Sequence, residues 1–563
     1  MTVVELRPAA QPTRPRVGRW TAALVAVGYL TAAVVLLHGI WADPNGRYLW
    51  DSGQDQNQWQ WFFDVTAHQV LNGQNPLFST LMNAPLGVNL MANTAMFGLS
   101  LPLIPVTAWL GSGVTWVLIL TLGLAGTAYA WFWMFSRRLA SAPAAAIGGL
   151  FCGFAPAMIS HANAHPNFVV LAVIPLLLLP RPPGRRTAIV LGLLIAYQIF
   201  LGEEVLLLAA TGLAVFGLIH AIVRPLESST FVRRYATTIL GAGAVTLAIV
   251  ALPLAWQFFG PQSYHKLGHG SAGNPLGAFT AFNSWALAGD PDTAQARSIN
   301  PTEENAFFGW PLLLLVVGIV IALRKQPKVR ILGITALIFA WLSTGRSMEL
   351  FGVDIPGPWA AIRFLPLYDS VVESRLAMVC IPIIGILLAI GIDQLKPLKF
   401  RMLGYTVIAA ALLPIVPVPL TVIDRGPAPE FFSAGLWRDY VRPGHSVVPA
   451  PPTNGANGAP LQWQREANFG FTLPDGYFVG PHGPTGKGGY GAQPRPTSTM
   501  FWQVQDGGEC AIAPARLHAD LQFWRADAIV VQAGNERMRT CLDGLLGKGS
   551  LVGGMWVWPV ERS

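Results

Sequence analysis

The sequence predicts an α-helical, multi-pass membrane protein with about eleven transmembrane helices and a C-terminal, extracytoplasmic domain of mixed α/β type. Of its 563 residues, 52% are hydrophobic and only 12% are charged, whereas soluble globular proteins carry about 25% charged residues. The second observation is a series of apolar runs of roughly spanning length. The third is the regular recurrence of basic residues in every second connection between these runs.

The first apolar run, residues 20–41, follows a basic amino terminus. It is longer than the apolar core of a usual signal peptide, and no clear small-residue cleavage site follows it. We therefore predict a retained first helix that starts in the cytoplasm. The other runs of roughly spanning length are 113–135, 143–161, 166–181, 187–202, 205–223, 236–258, 308–324, 330–344, 374–394 and 402–423.

The basic connections set the predicted orientation. With the amino terminus inside, all five basic clusters lie on the cytoplasmic side, as the positive-inside rule requires. The short run 95–111 is interrupted by Pro102 and Pro105, and counting it as a span would put every cluster outside. We therefore predict that it forms a re-entrant or interfacial hairpin on the outer side.

This map divides the chain into a membrane module, residues 1–423, and an extracytoplasmic domain, residues 424–563. The membrane module contains a large first outer loop, residues 42–112. In the C-terminal domain, residues 445–450, 527–532 and 555–559 are typical of short strands, and the Gly- and Pro-rich stretch 474–496 is typical of a long surface loop. We expect a multi-pass protein of the cytoplasmic (inner) membrane.

The charge distribution indicates which partner the protein has, and the positions of the cysteines indicate which of them are buried and which could form a disulfide. The net charge is +8, but the basic residues form short clusters between apolar runs, so the lipid bilayer is the expected partner and nucleic acid is not. Cys152 and Cys380 lie in apolar runs and are predicted to be buried. Cys510 and Cys541 both lie in the extracytoplasmic domain, where disulfides persist, and are candidates for a bridge.

The most informative polar stretch, residues 48–75, follows the first span directly. It contains Asp51 and Asp55 four residues apart, which a helix would place on one face, followed by an aromatic segment that includes Trp59. A carboxylate partly buried among aromatic rings is suited to act as a general base in sugar transfer. The same residues could instead cap the helix that follows.

The layout and several short motifs resemble the C-type glycosyltransferase superfamily (GT-C). The layout is a basic cytoplasmic start, one helix, an acidic first outer loop, a core of many spans and an outer C-terminal domain. The motifs, similar to those of bacterial membrane glycosyltransferases, are Gly53-Gln54-Asp55 followed by Trp59 and Trp61, then Asn75-Pro76 and Pro85-Leu86-Gly87. The resemblance implies transfer of a hexosyl or pentosyl group from a polyprenyl-phosphate donor to a glycan or lipid acceptor of the cell envelope.

The resemblance also assigns roles. An acidic residue of the first outer loop serves as the base or orients the acceptor hydroxyl, and the matching position is Asp55, with Asp51 second. The donor phosphate needs cations on the outer side, for which Arg363, Lys266 and Arg375 are candidates. Arg363 is preferred because it lies in an otherwise apolar segment, although an ion pair with a neighbouring carboxylate would explain it equally well.

Other polar residues on the predicted outer face are candidates for binding the substrate. His161 and His165 have a spacing that suits a metal site, but Pro166 favours a turn and no third ligand is near in sequence. We expect them to hydrogen-bond sugar or phosphate. Trp59 is a further substrate-binding candidate. The pairs Glu203-Glu204 and Glu303-Glu304 are each more typical of a helix cap or a solvated surface, but Glu204 could also bind acceptor hydroxyls.

Two other functions fit the same layout. A transporter or flippase of lipid-linked sugars needs no base and would carry ionisable residues near the middle of its spans, but the spans here are almost free of charge. A non-catalytic envelope assembly protein would tolerate replacement of Asp55. No cofactor is fixed by the sequence, and a divalent cation, Mg or Mn, stays an open candidate.

Overall fold

The structure is a computed structural model that describes residues 17–50, 52–268, 272–350, 353–395 and 399–560. Asp51, one of the two predicted catalytic carboxylates, lies outside these ranges. The helices before residue 424 are α1 Arg19–Leu36, α2 His38–Trp41, α3 Gly53–Leu71, α4 Phe97–Ser100, α5 Ile104–Leu110, α6 Ser112–Arg138, α7 Ala142–Phe154, α8 Pro156–Ala162, α9 Val173–Leu177, α10 Arg185–Leu201, α11 Glu203–Val223, α12 Pro225–Phe259, α13 Leu276–Thr280, α14 Pro291–Gln295, α15 Trp310–Ala322, α16 Pro327–Leu342, α17 Cys380–Leu395 and α18 Arg401–Leu412. The strands in this part are β1 Arg47–Leu49, β2 Phe78–Ser79, β3 Val88–Asn89, β4 Ser347–Leu350, β5 Val353–Pro356 and β6 Val422–Asp424.

Within the described residues, five helices are long and apolar enough to cross a membrane: α1, α6, α11, α12 and the helical segment Glu373–Leu395, which contains α17. The bent pair α7 and α8 would make a sixth. The prediction of about eleven spans therefore stays a prediction. Several of the predicted runs fold as apolar helices of 10–17 residues, and at 1.5 Å per residue these reach at most about 25 Å, less than the roughly 30 Å of a hydrocarbon core.

The segment 95–111 is broken, as its two prolines predict. It forms the short helices α4 and α5, neither of which has the length of a span. The chain then turns at Gly111, which has a φ of +90° and an Asn45 side chain packed where a Cβ would lie. Helix α6 begins immediately after this turn. The broken segment is therefore the last part of the first loop, residues 42–112, and leads directly into α6.

The C-terminal region, residues 424–560, contains a four-stranded sheet with strand order β11-β12-β10-β7. β10 is parallel to β7 and antiparallel to β12, and three of these strands match the predicted ones. The strands of the region are β7 Ser446–Pro449, β8 Val479–His482, β9 Lys487–Tyr490, β10 Ala526–Gln532, β11 Ser550–Val552 and β12 Met555–Pro559. Its helices are α19 Glu430–Ser433, α20 Ala459–Glu466, α21 Pro496–Gln505, α22 Pro514–Phe523 and α23 Glu536–Leu546.

The stretch 474–496 differs from the predicted loop because it contains the antiparallel hairpin of β8 and β9. Gly483 and Gly486 have φ angles of +65° and +62°, which glycine adopts without a Cβ clash and which close the connection between the strands. The composition that favours a loop therefore also serves a tight hairpin. Elsewhere in the region, a disulfide joins Cys510 and Cys541, whose Cα atoms are 5.6 Å apart.

The C-terminal region packs on α3 of the first loop through polar as well as apolar contacts. Arg465 on α20 forms a salt bridge with Asp64 on α3 and donates to the Ser112 hydroxyl at 2.6 Å. The Trp61 indole donates to Gln464 Oε1 at 2.7 Å. Most residues of α3 are buried, including the polar Asp55, Gln56 and Asn57 of its first turns.

Candidate active site

Asp55 lies in the first turn of α3, where a carboxylate is favoured by the positive end of the helix dipole. It is 8% exposed, and its Oδ1 accepts a hydrogen bond of 2.9 Å from the Tyr477 hydroxyl. Burial raises the pKa of the Asp55 carboxyl above its usual range, while nearby His165 and the Tyr477 hydrogen bond offset part of the rise. A buried carboxylate with a raised pKa is a stronger base than a solvated one.

His165 lies near enough to this carboxylate to interact with it electrostatically. His161 lies in the last turn of α8, and its Nδ1 is 3.1 Å from Nδ1 of His165. Burial lowers the pKa of His165 to about 4, so its ring is neutral at physiological pH. The turn predicted from Pro166 is present, since a short 3-10 helix begins at that residue.

Asn305 fixes which nitrogen of His161 carries the proton. The Asn305 amide nitrogen donates to Glu303 Oε2 at 2.8 Å and to the Ser374 hydroxyl at 3.0 Å. Its Oδ1 therefore faces His161 Nε2, 2.8 Å away, and an amide oxygen can only accept. The His161 proton is thus on Nε2, and the lone pair of Nδ1 points toward His165.

Glu303 lies next to the histidine pair, and Arg375 binds its carboxylate. Its Oε1 is 3.7 Å from His165 Nδ1, and Arg375 Nε donates to both carboxylate oxygens at 3.1 Å. Burial by itself would raise the pKa of Glu303, but Arg375 and the two histidines hold it well below its usual range. Arg375 Nη1 also donates to Glu204 Oε2 at 2.6 Å, so one guanidinium joins the buried Glu303 carboxylate to the partly buried Glu204 carboxylate.

The donor set suits a divalent cation. His161 Nδ1, His165 Nδ1 and a Glu303 oxygen all lie within 4.8 Å of one another, and the two measured separations above fit ligands bonded to one ion at about 2.0–2.2 Å. Arg375 pairs with both Glu204 and Glu303, so two carboxylates share one guanidinium here.

An apolar cavity of about 460 Å³ opens beside these polar residues. Phe168 belongs to both, because it lines the cavity while its ring stacks on His161 at 4.7 Å and carries the Arg375 guanidinium at 4.5 Å. From Phe168 the cavity extends between α6, α11 and α17, with apolar side chains such as Leu208 and Ile383 on its walls. The polar group and the cavity therefore meet at Phe168, which both of them contact.

The remaining predicted site residues lie elsewhere or have other partners. Lys266 is half exposed, with its Nζ 3.8 Å from Asp369 Oδ2, and the Arg363 guanidinium lies over the Phe364 ring at 4.7 Å. Among the described residues, neither Lys266 nor Arg363 contacts the histidines or Asp55. Trp59 is 6% exposed and packs against two phenylalanines of α3, so its ring serves the core and offers no open face to a sugar.

Sequence reasoning missed three residues of the site: Glu303, Asn305 and Tyr477. Glu303 and Asn305 are 5% and 0% exposed, which corrects the expectation of a cap or a solvated surface at the Glu303-Glu304 pair. Buried carboxylates need partners, and the partners here are far apart in sequence. The polar run between apolar spans was the available signal for Glu303. Tyr477 stood out only as one of several outer aromatic residues that could stack on a sugar, and nothing marked it as a partner of Asp55.

No protein-family profile and no curated protein matches the sequence. Solved structures with the same fold exist. The arabinofuranosyltransferase AftD from Mycobacteria superposes with a TM-score of 0.53 and 16% identity over 92% of this chain and 35% of that one. The oligosaccharyltransferase of Archaeoglobus fulgidus in its apo form superposes with a TM-score of 0.51 and 13% identity over 93% of this chain and 71% of that one.

These likenesses confirm the predicted GT-C fold. At such low identities they show the fold alone. The chain spans about a third of the length of the arabinofuranosyltransferase. With the five apolar helices, the fold makes the chain a multi-pass membrane protein.

The Arg375 contacts predict a large effect on stability. We expect Arg375→Met to lower the free energy of unfolding by about 3–5 kcal/mol, because the buried Glu303 and the partly buried Glu204 would lose their shared cation. Arg363→Met is the matched control, since it removes a cation–π contact worth about 1 kcal/mol or less. Unfolding of both variants in detergent, followed by tryptophan fluorescence, measures the difference. Equal midpoints for the two variants would contradict the assignment of Arg375 as a structural cation.

Proposed function

We propose that this chain is a glycosyltransferase that moves a sugar from a polyprenyl-phosphate donor to a cell-envelope acceptor on the outer face of the cytoplasmic membrane. The observation that carries the proposal is that the carboxylate-rich group and the apolar cavity lie next to each other, with Phe168 in contact with both. A polyprenyl-phosphate sugar is amphipathic in the same way, with a charged head and a hydrocarbon tail. The cavity takes the start of the tail, and the sugar lies at Asp55.

Asp55 is the proposed base. As the acceptor oxygen bonds to the anomeric carbon, its proton passes to the Asp55 carboxylate. The bond between the anomeric carbon and the donor phosphate oxygen breaks, and the electron pair leaves with the polyprenyl phosphate. Burial of Asp55 supports this role, because it favours the protonated product of the transfer. Asp51 remains a second candidate.

His161, His165 and Glu303 are proposed to hold a divalent cation. When bound, such an ion stabilises the negative charge of the phosphate leaving group. Two imidazole ligands disfavour Mg²⁺, which prefers oxygen, and of the two ions considered they favour Mn²⁺. The sequence suggested that the two histidines hydrogen-bond sugar or phosphate. On the present assignment they bind the cation instead and do not hydrogen-bond the sugar directly. Asn305 keeps the His161 lone pair on Nδ1, where the ion would bind.

Of the three cations predicted for the donor phosphate, Lys266 has the strongest support. Its side chain is 50% exposed and its pairing with Asp369 is long. Arg375 is engaged by two carboxylates, so it serves mainly to neutralise and orient Glu303. The likeness of the fold to glycosyl- and oligosaccharyltransferases supports this class of activity. The outward side for residues 424–563 is supported by the disulfide, since such bonds persist outside the cytoplasm.

Asp55→Asn tests the proposed reaction. We expect transfer of labelled sugar from polyprenyl-phosphate donors to envelope acceptors to fall roughly 100- to 10,000-fold, because Asn keeps the shape but cannot take the proton. Asp51→Asn is measured in parallel, and Asp43→Asn, on an exposed turn of the same loop, is the control. If both Asp55→Asn and Asp51→Asn match the wild type while the wild type is active, neither carboxylate is the base.

A second prediction concerns the metal. We expect the purified protein to bind Mn²⁺, detected by electron paramagnetic resonance, and His165→Ala to weaken that binding by roughly 100-fold or more because one ligand is lost. His68→Ala is the control, since His68 lies near the end of α3, where its ring packs against Phe469. Equal Mn²⁺ affinity in the two variants would place the ion elsewhere.

A third prediction concerns the cavity. Ala209 lines it on α11, whereas Ala210, the next residue, faces outward. We expect Ala209→Phe to raise the KM for a long-chain donor about 10-fold or more, because the ring fills space proposed for the tail. Ala210→Phe should leave that KM unchanged. A donor KM unaffected by Ala209→Phe would show that the lipid binds outside this cavity.

A further inference from the structure

We infer that Tyr477, supplied by the C-terminal region, is a positioning residue that holds the Asp55 carboxylate in its working orientation. This rests on the proposed function of Asp55. The C-terminal region would then be a part of the catalytic site as well as a cover over it. No motif in the sequence marks Tyr477 for such a role.

The chemistry of the two groups sets the direction of the hydrogen bond between Tyr477 and Asp55. An ionised carboxylate can only accept, so the Tyr477 phenol donates to Asp55 Oδ1 across 2.9 Å. Burial, together with the neighbouring Asp55 charge, raises the pKa of the phenol, so it stays protonated and remains a donor. Among the described residues this is the one hydrogen bond to the Asp55 carboxylate. It leaves Oδ2 for the acceptor hydroxyl.

A carboxylate needs such a restraint. The terminal torsion of an aspartate is broad and roughly two-fold, so burial alone does not choose the direction in which the oxygens point. In the general-base role the reacting oxygen has to lie within about 2.6–3.2 Å of the proton that it takes. A fixed donor on Oδ1 sets the torsion and with it the place of Oδ2.

Tyr477 is itself held from two sides. Gln58, one turn after Asp55 on α3, donates from Nε2 to the Tyr477 carbonyl at 2.8 Å. Two residues after Tyr477, Val479 exchanges two hydrogen bonds with the Asn93 side chain of the first loop, at 2.6 and 2.9 Å. The phenol therefore has a defined position relative to α3, which a surface tyrosine on a loop would lack.

The experiment compares Tyr477→Phe with Tyr48→Phe. Both variants lose one phenol hydroxyl that bonds to α3, because Tyr48 donates to Asn57 Oδ1 at 2.8 Å, but only Tyr477 bonds to Asp55. We expect Tyr477→Phe to lower kcat roughly 10- to 100-fold with the KM for donor and acceptor within about twofold, as for a misplaced reacting group. Tyr48→Phe should keep kcat within about twofold of wild type.

A cycle with Asp55 separates positioning from loss of structure. If Tyr477 acts through Asp55, the double variant Asp55→Asn with Tyr477→Phe transfers sugar no more slowly than Asp55→Asn alone. An active wild type with a Tyr477→Phe kcat equal to that of Tyr48→Phe overturns the inference and leaves the proposed function intact. An inactive wild type, by contrast, overturns the proposed function.

Folding of the variant is checked by its unfolding midpoint in detergent. If Tyr477→Phe does not fold, Gln58→Leu replaces it in the comparison, because it removes the hydrogen bond that holds the Tyr477 carbonyl. A fall in kcat at constant KM then supports the inference, and an unchanged kcat overturns it.

Discussion

The site depends on a single buried guanidinium. Arg375 bonds to Glu303 and to Glu204, which belong to distant parts of the chain, and its plane rests on the Phe168 ring. Removing three charges from water is costly unless they are paired and hydrogen-bonded, so this arrangement allows little variation in where the elements meet. Glu303 is fixed by Arg375, Asn305 is fixed by Glu303, and His161 is fixed by Asn305. These contacts therefore form one chain that runs from Arg375 to His161.

Phe168 lies where the polar group meets the apolar cavity. Its ring stacks on His161 and carries the Arg375 guanidinium, and the same residue lines the cavity. A lipid-linked sugar requires both within a few ångströms, because its phosphate joins the tail directly to the head. A carrier for the same substrate would need a charged path through the spans, whereas here the ionisable groups gather at the ends of helices.

Local sequence patterns predicted the features that depend on residues close together in the chain. The apolar runs, the break at Pro102 and Pro105, and the strands near 446, 526 and 555 each follow from composition and periodicity. The sequence also indicated that Asp55 lies on a helix. What the sequence could not predict are partners brought together by tertiary contacts, such as Glu303 with the histidines. Trp59 shows the same limit, because an aromatic residue looks alike in a core and in a binding site until its neighbours are known.

Strand β1 pairs with β6 from register Arg47–Asp424 to Leu49–Val422, and the backbone bonds continue on both sides, from Arg425 to Gly46 and from Trp50 to Thr421. The chain thus closes on itself just before the C-terminal region begins. With the Arg465 salt bridge to Asp64 as a second attachment, the C-terminal region cannot swing on one hinge. The β1–β6 pairing and the Arg465–Asp64 salt bridge thus tie the C-terminal region to the first outer loop at two separate places.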